Sequence, residues 1–232
     1  IVATLKGEQS GPRLVYICHQ DTVPLGDGWH HDPLAAEIID GRMYGRGSCD
    51  MKSGLAAGML AFRSIAAMGK KLKHDFLFIA SMDEEDIMIG ADKLIADGIV
   101  RADDYVLDAE PTNGAIKVAH KGKTWFRLDA KGVACHASTP EKGSDAVAAL
   151  SEVICAINRR LRALPVHPEL GPCAATFGII NGGLNLNIVP GECYCTIDMR
   201  LTPPTTNEQS IRLVEEAIAE GCANVPGTSC TY

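Results

Sequence analysis

The feature that most constrains the fold is an alternation of strand, helix, strand, helix, strand in the first half of the chain, with each apparent strand ending on a histidine or an acid. Residues 14–18 (LVYIC) form a β-rich apolar run that stops at His19 and Asp21. Residues 51–68 carry apolar side chains at helical spacing, with Gly54 and Gly58 allowing close packing. A second run, 75–80 (DFLFIA), delivers Asp83, Glu84, Glu85 and Asp86. A short helical pattern covers 90–98, and a third run, 104–109 (DYVLDA), ends at Glu110. This order predicts a parallel sheet with covering helices. Ligands of such sheets bind outside the carboxyl ends of the strands, where each charged cluster falls.

Beyond about residue 115 the pattern changes. Residues 124–132 alternate like a half-buried strand, 144–163 read as a long helix, 173–180 and 192–200 as strands, and 207–220 as a second helix. Long alternating strands with fewer helices predict a smaller α+β domain with one solvated sheet face. The expected domains are therefore 1–115 and 116–232.

Composition removes several function classes. A formal net charge of -7 argues against nucleic acid as the main partner. No apolar stretch approaches the 18 residues of a membrane span. The nine cysteines are odd in number, irregularly spaced and contain no CxxC pair, which fits reduced, partly buried thiols of a cytoplasmic protein. No basic-then-apolar leader opens the chain at Ile1.

Taken singly, each cluster has an ordinary structural reading. His19 and Asp21 form a common HxD pair, although a histidine oriented by a carboxylate also suits a metal. In YGRGSCDMKSG (44–54), Asp50 stands just before a helix, as a capping residue or as a carboxylate bridging two cations. Asp83-Glu84-Glu85 reads as a solvated acidic turn, or as a ligand beside a proton acceptor. Glu110 before Pro111 reads as a turn. Together they form a set of oxygen and nitrogen donors at the ends of three strands. Nucleophile catalysis fits less well, since GRGSCD is not a GxSxG elbow, and no phosphate-binding glycine loop is present.

The clusters, in this order, resemble the M20 family of metallopeptidases, whose members include acetylornithine deacetylase, succinyl-diaminopimelate desuccinylase, aminoacylase-1 and glutamate carboxypeptidase. The matching text is HQDTVP (19–24), Trp29 with Asp32-Pro33, DGRMYGRGSCDMKSG (40–54), DEE (83–85), EPT (110–112), HASTPEKGSDA (136–146), NIVPGE (187–192) and DMR (198–200). The resemblance implies a mostly parallel-sheet α/β catalytic domain with an inserted ferredoxin-like α+β lid that also dimerises. It implies two zinc ions, replaceable by cobalt: one held by His19, Asp50 and Glu110, the other by Asp50 and Glu85. Asp21 would orient His19, and Glu84 would act as general base. His136 would stabilise the tetrahedral oxyanion across a homodimer, and Asn187 and Arg200 would hold substrate. The implied reaction is amide hydrolysis of N-acyl amino acids, or alternatively of dipeptides or peptide C-termini, with a free carboxylate on the substrate. A non-catalytic relative and a two-metal phosphoesterase are the competing classes. Two departures stand out. Ile87 occupies a position where the family often has glycine, although Gly90 is kept. Relatives also carry segments before the first metal histidine and after the lid, the latter supplying the last histidine ligand of the second zinc, so the sequence reads as an internal portion of such an enzyme.

Overall fold

The computed structural model describes residues 1–232, which form two compact units, Ile1–Ile116 and Lys117–Tyr232. In chain order the first unit runs β1 (Val2–Leu5), β2 (Leu14–His19), β3 (Glu37–Ile39), β4 (Arg42–Tyr44), α1 (Lys52–Ala67), β5 (Phe76–Ser81), α2 (Ile89–Ala96) and β6 (Tyr105–Asp108). Its main sheet has the order β1-β5-β2-β6. β2 pairs in parallel with both β5 and β6, while β1 adds an antiparallel edge to β5. Strand β5 is buried at five of its six positions, as a strand packed on both faces must be.

Val15, Leu77, Ile79 and Leu94 pack on one face of this sheet, and Cys18, Met51, Phe78 and Ala80 on the other. Burial of each large side chain contributes about 1.5–3 kcal/mol. Helix α1 lies close against the second face because two of its residues are glycines. A Cβ on Gly58 would stand 2.2 Å from the Tyr16 ring, and one on Gly54 would stand 2.6 Å from the Ala109 carbonyl. The opposite ends of β2 and β6 are tied by an Arg13–Asp104 ion pair, with Nη2 2.6 Å from Oδ2.

Three elements of this unit carry little sequence signal. Strand β1 is short and only partly buried, and β3 and β4 form a small exposed hairpin around Asp40-Gly41, both at positive φ. Each lacks the apolar run that marks the other strands.

The second unit runs β7 (Gly122–Lys131), a 3-10 turn at Pro140–Lys142, α3 (Ala146–Arg162), β8 (Ala174–Gly182), β9 (Glu192–Leu201), α4 (Asn207–Asn224) and β10 (Ser229–Thr231). All pairings in its sheet are antiparallel, in the order β10-β7-β9-β8. This βαββαβ connectivity is ferredoxin-like. Both helices have well-made starts. Asp145 Oδ1 accepts from the Val147 and Ala148 N–H groups, and Thr206 with Gln209 forms a capping box. Inward residues of β7 and β9, among them Leu128, Cys195, Ile197 and Met199, pack with Leu150, Ile157 and Val214 of the helices. Alternate residues on the same strands face solvent. No helix of the chain is long and apolar enough to cross a membrane. All nine cysteines are free thiols.

Candidate metal centre

Parallel pairing of β2 with β5 and β6 brings three strand ends to one edge of the sheet, and α1 begins beside them. His19, the last residue of β2, is 2% exposed. Its backbone N–H points to the Met51 sulfur at 3.3 Å, and Nδ1 lies 2.9 Å from the Asp21 carbonyl. A proton on Nδ1 donates to that carbonyl, which directs the Nε2 lone pair into the cluster. Nε2 stands 3.1 Å from Asp50 Oδ1, 3.5 Å from Glu110 Oε1 and 4.0 Å from Glu84 Oε2.

Each carboxylate arrives by a different local device. Asp50 follows a turn in which Gly45 and Gly47 have positive φ, and the Lys52 N–H donates to the Gly47 carbonyl at 2.9 Å. The helix N-cap is Met51 and no side chain caps it, so the Asp50 carboxylate faces His19 instead of serving the helix. The capping alternative for Asp50 therefore does not hold.

Glu84 and Glu85 ride on the loop after β5. Asp83, at φ +63°, closes that loop by accepting from the Met88 N–H on its carbonyl and from the Ile89 N–H on its carboxylate. Gly90 is needed at its end, because a Cβ there would come within 2.3 Å of the Met82 carbonyl. Met88 takes the left-handed conformation at φ +61°, one residue after Ile87. The Glu85 N–H donates to Asp21 Oδ2 at 3.1 Å, which ties the acidic loop to the strand that carries His19. Asp21 Oδ1 is buried 3.6 Å from His19 Nδ1 and accepts no hydrogen bond.

Donor atoms fall into two overlapping groups, His19-Asp50-Glu85 and His19-Glu84-Glu110, each with its atoms within 4.8 Å of one another. The electrostatics are those of crowded anions. Burial, then Asp50 and Asp108, push the Glu110 carboxyl up to about 7. Burial, then Asp50, also raises Glu85. For His19, burial opposes a charge, but the Asp21 carbonyl, Asp50, Glu110 and Glu84 outweigh it and raise its pKa. A divalent cation relieves this crowding, and one imidazole nitrogen with several carboxylate oxygens suits borderline-to-hard metals such as zinc, cobalt or manganese.

The remaining residues singled out in the sequence lie in the second unit. His136 is exposed, and its Nδ1 accepts from the Ser138 N–H at 3.2 Å, which places the proton of the neutral ring on Nε2. Ser138 Oγ lies 2.8 Å from the same nitrogen. Asn187 is brought beside this loop, since its carbonyl accepts from the Ala137 N–H at 2.9 Å and His136 bridges Ile188. Arg200 is not brought there. His136 and Asn187 stand near the Glu192 end of β9, whereas Arg200 lies eight residues along it, about 26 Å at 3.3 Å per residue. Two contributors escaped sequence reasoning: Ser138, which fixes the His136 tautomer, and Asp198, whose carboxylate holds Arg200. Both lie inside the matched text HASTPEKGSDA and DMR, where the spacings H-x-S and D-x-R pair them with His136 and Arg200.

A parallel-sheet α/β unit whose strand ends gather one imidazole and four carboxylates defines the class: a protein with a candidate multi-cation metal centre. The chain belongs to the peptidase family M20/M25/M40, whose model matches residues 15–231. It is 33% identical over 233 residues to the acetylornithine deacetylase of Proteus mirabilis, covering 98% of this chain and 59% of that protein. It is 29% identical to the succinyl-diaminopimelate desuccinylase of Rhodopseudomonas palustris (strain TIE-1), covering 93% and 58%. A Bacillus subtilis structure described as a dinuclear metal binding peptidase of the M20 family superposes with a TM-score of 0.61 at 17% identity, covering 99% of this chain and 58% of that one. The chain thus spans under three fifths of the length of these curated relatives.

Proposed function

We propose that the whole protein is a cytoplasmic two-zinc amidohydrolase that releases the amino acid from N-acyl amino acids. The observation that carries this reading is the convergence of His19, Asp50, Glu84, Glu85 and Glu110 at the carboxyl edge of the parallel sheet. His19, Asp50 and Glu110 would hold one cation, and Asp50 with Glu85 the other. Zinc, with cobalt able to replace it, supplies Lewis acidity toward the amide carbonyl and toward a water.

The chain's own residues do the rest. Asp21 keeps His19 in the tautomer that presents Nε2. Glu84 is assigned as base rather than ligand on the resemblance of Asp83-Glu84-Glu85 to the family's acidic motif, and its Oε2 stands 4.0 Å from His19 Nε2. It accepts the water proton on Oε2 and returns it to the departing amine. His136, with its proton on the exposed Nε2, is a donor for the tetrahedral oxyanion. Arg200 pairs with the substrate carboxylate as a planar fork, and Asn187 adds an amide contact.

An N-acyl amino acid cannot reach both ends of β9. The distance from His136 and Asn187 to Arg200 therefore supports a homodimer in which each site draws these residues from different copies. The 33% and 29% identities to a deacetylase and a desuccinylase favour a deacylase. The alternative, a dipeptidase or carboxypeptidase, draws on similar structures described as a dipeptidase and a metallo-carboxypeptidase. Glu84→Gln tests the assignment. It is expected to lower kcat by at least about a hundredfold with metal content unchanged, and turnover near the wild-type rate would refute it.

A further inference from the structure

Arg200 does not stand alone on the sheet. Residues 198 and 200 are two apart on β9 and so share its open face. Arg200 Nη2 donates to Asp198 Oδ2 at 2.8 Å, and Nε lies 2.7 Å from Asp198 Oδ1. The strand beneath is held on both sides: Asp198 sits opposite Trp125 of β7 and Thr176 of β8, and Arg200 opposite Lys123 and Ala174. Asp198 is the more sheltered partner, with a side chain 33% exposed against 48% for Arg200; its Oδ1 has no accessible surface and accepts no hydrogen bond, so it meets Nε as an ion pair only. A second pair on the same face gives the contrast. Arg127 engages Asp129 with Nε and Nη2 in the same i,i+2 arrangement, but Tyr194 also covers its guanidinium plane at 4.1 Å.

A guanidinium offers two forks. Asp198 lies against the Nε and Nη2 side, hydrogen-bonded at Nη2 and ion-paired at Nε, which leaves the Nη1 end and the second Nη2 hydrogen for another carboxylate. We infer that Asp198 is a positioning residue that grips the side fork of Arg200 and aims its end fork at the carboxylate of the substrate. Asp198 does not touch substrate. It acts by fixing a long side chain that otherwise loses rotamer freedom on binding.

This inference rests on the reading of Arg200 as the carboxylate clamp, and its test separates the two. The whole protein is assayed on its best substrate from a set of N-acetyl and N-succinyl amino acids and on the α-methyl ester of that substrate. Arg200→Ala is expected to raise KM for the acid by about a hundredfold and to leave the ester within threefold. Asp198→Ala is expected to raise KM for the acid by about tenfold, the size of one charge-assisted contact, with kcat within twofold and the ester unchanged. Asp198→Asn keeps one acceptor and turns the other toward Nη2 as a donor. It is expected to give about a threefold rise, and it serves as the readout if the alanine variant does not fold. A rise in KM for acid and ester alike, no rise in either variant, or a fall in KM overturns the positioning role. No effect of Arg200→Ala on the acid overturns the clamp itself, and this inference with it.

Discussion

Asp104→Asn probes the tie that sets β2 against β6. Asp104 has a fully buried side chain, accepts from Arg13 Nε at 2.8 Å and Nη2 at 2.6 Å, and takes the Arg101 N–H at 2.8 Å. Arg13 also donates to the Ile99 carbonyl, and its own carbonyl accepts the Tyr105 N–H, so the pair sits where the strands begin to register, Leu14 against Tyr105. The Arg13 guanidinium, working against burial, holds the Asp104 carboxyl at about 2, below the ordinary 3.8. At 1.36 kcal/mol per pH unit the difference is worth about 2 kcal/mol. The folded pKa is depressed, so this stability is complete above about pH 4 and is lost as pH falls toward 2. Urea unfolding of wild type and Asp104→Asn, followed by the fluorescence of Trp29 in a Trp125→Phe background, should show a gap of about 2 kcal/mol at pH 7 that is unchanged at pH 5 and narrows below pH 4. Metal content should be retained at pH 7, because the donors lie at the far ends of the same strands. Equal stability at pH 7, or a gap of the same size at pH 3, would refute the reasoning.

Three further outcomes are expected. Gly58→Ala gains about 1 kcal/mol of helix propensity but drives a methyl into the Tyr16 ring, so a net loss of about 1–2 kcal/mol should appear in thermal unfolding. Glu110→Gln should stabilise the metal-free protein. The raised carboxyl contributes fully below its ordinary 4.5 and loses that contribution as pH rises through about 7, so the variant should exceed wild type by about 1–2 kcal/mol at pH 8 in chelator and match it near pH 4.5. Added zinc should reverse the order at pH 8. His136→Ala should slow turnover, and mixing it with Glu84→Gln should restore part of the activity in mixed dimers if the histidine acts across copies; confirmed mixed dimers without recovery would place it within one chain.

Much of the fold was legible because its long elements carry strong periodicity. The alternating strands β7 and β9 and the amphipathic helices α3 and α4 bury one face against one core, and their patterns state as much. Strands β1, β3, β4 and β10 were not legible, since each is three or four residues long and depends on pairing rather than burial. At the candidate centre, residue types and order pointed to His19, Asp50, Glu84, Glu85 and Glu110 before any geometry was known. What sequence could not decide was whether Asp50 capped α1 or faced His19. That depends on the Gly45–Gly47 turn, which hands the cap position to Met51. Asp198 was hidden for another reason: the strand read over 192–200 put it on one face with Arg200, but the contact between them depends on side-chain rotamers that spacing does not fix.

The most direct test of a two-zinc amidohydrolase is amine release by the metal-loaded whole protein, measured together with metal content by mass spectrometry. The panel spans N-acetyl amino acids, N-succinyl amino acids and plain dipeptides. Two zinc ions per chain and turnover of an N-acyl amino acid, abolished by chelator and restored by zinc or cobalt, is the predicted result. Turnover that survives complete removal of metal, or a folded protein that binds no divalent cation at the His19 cluster, would contradict it.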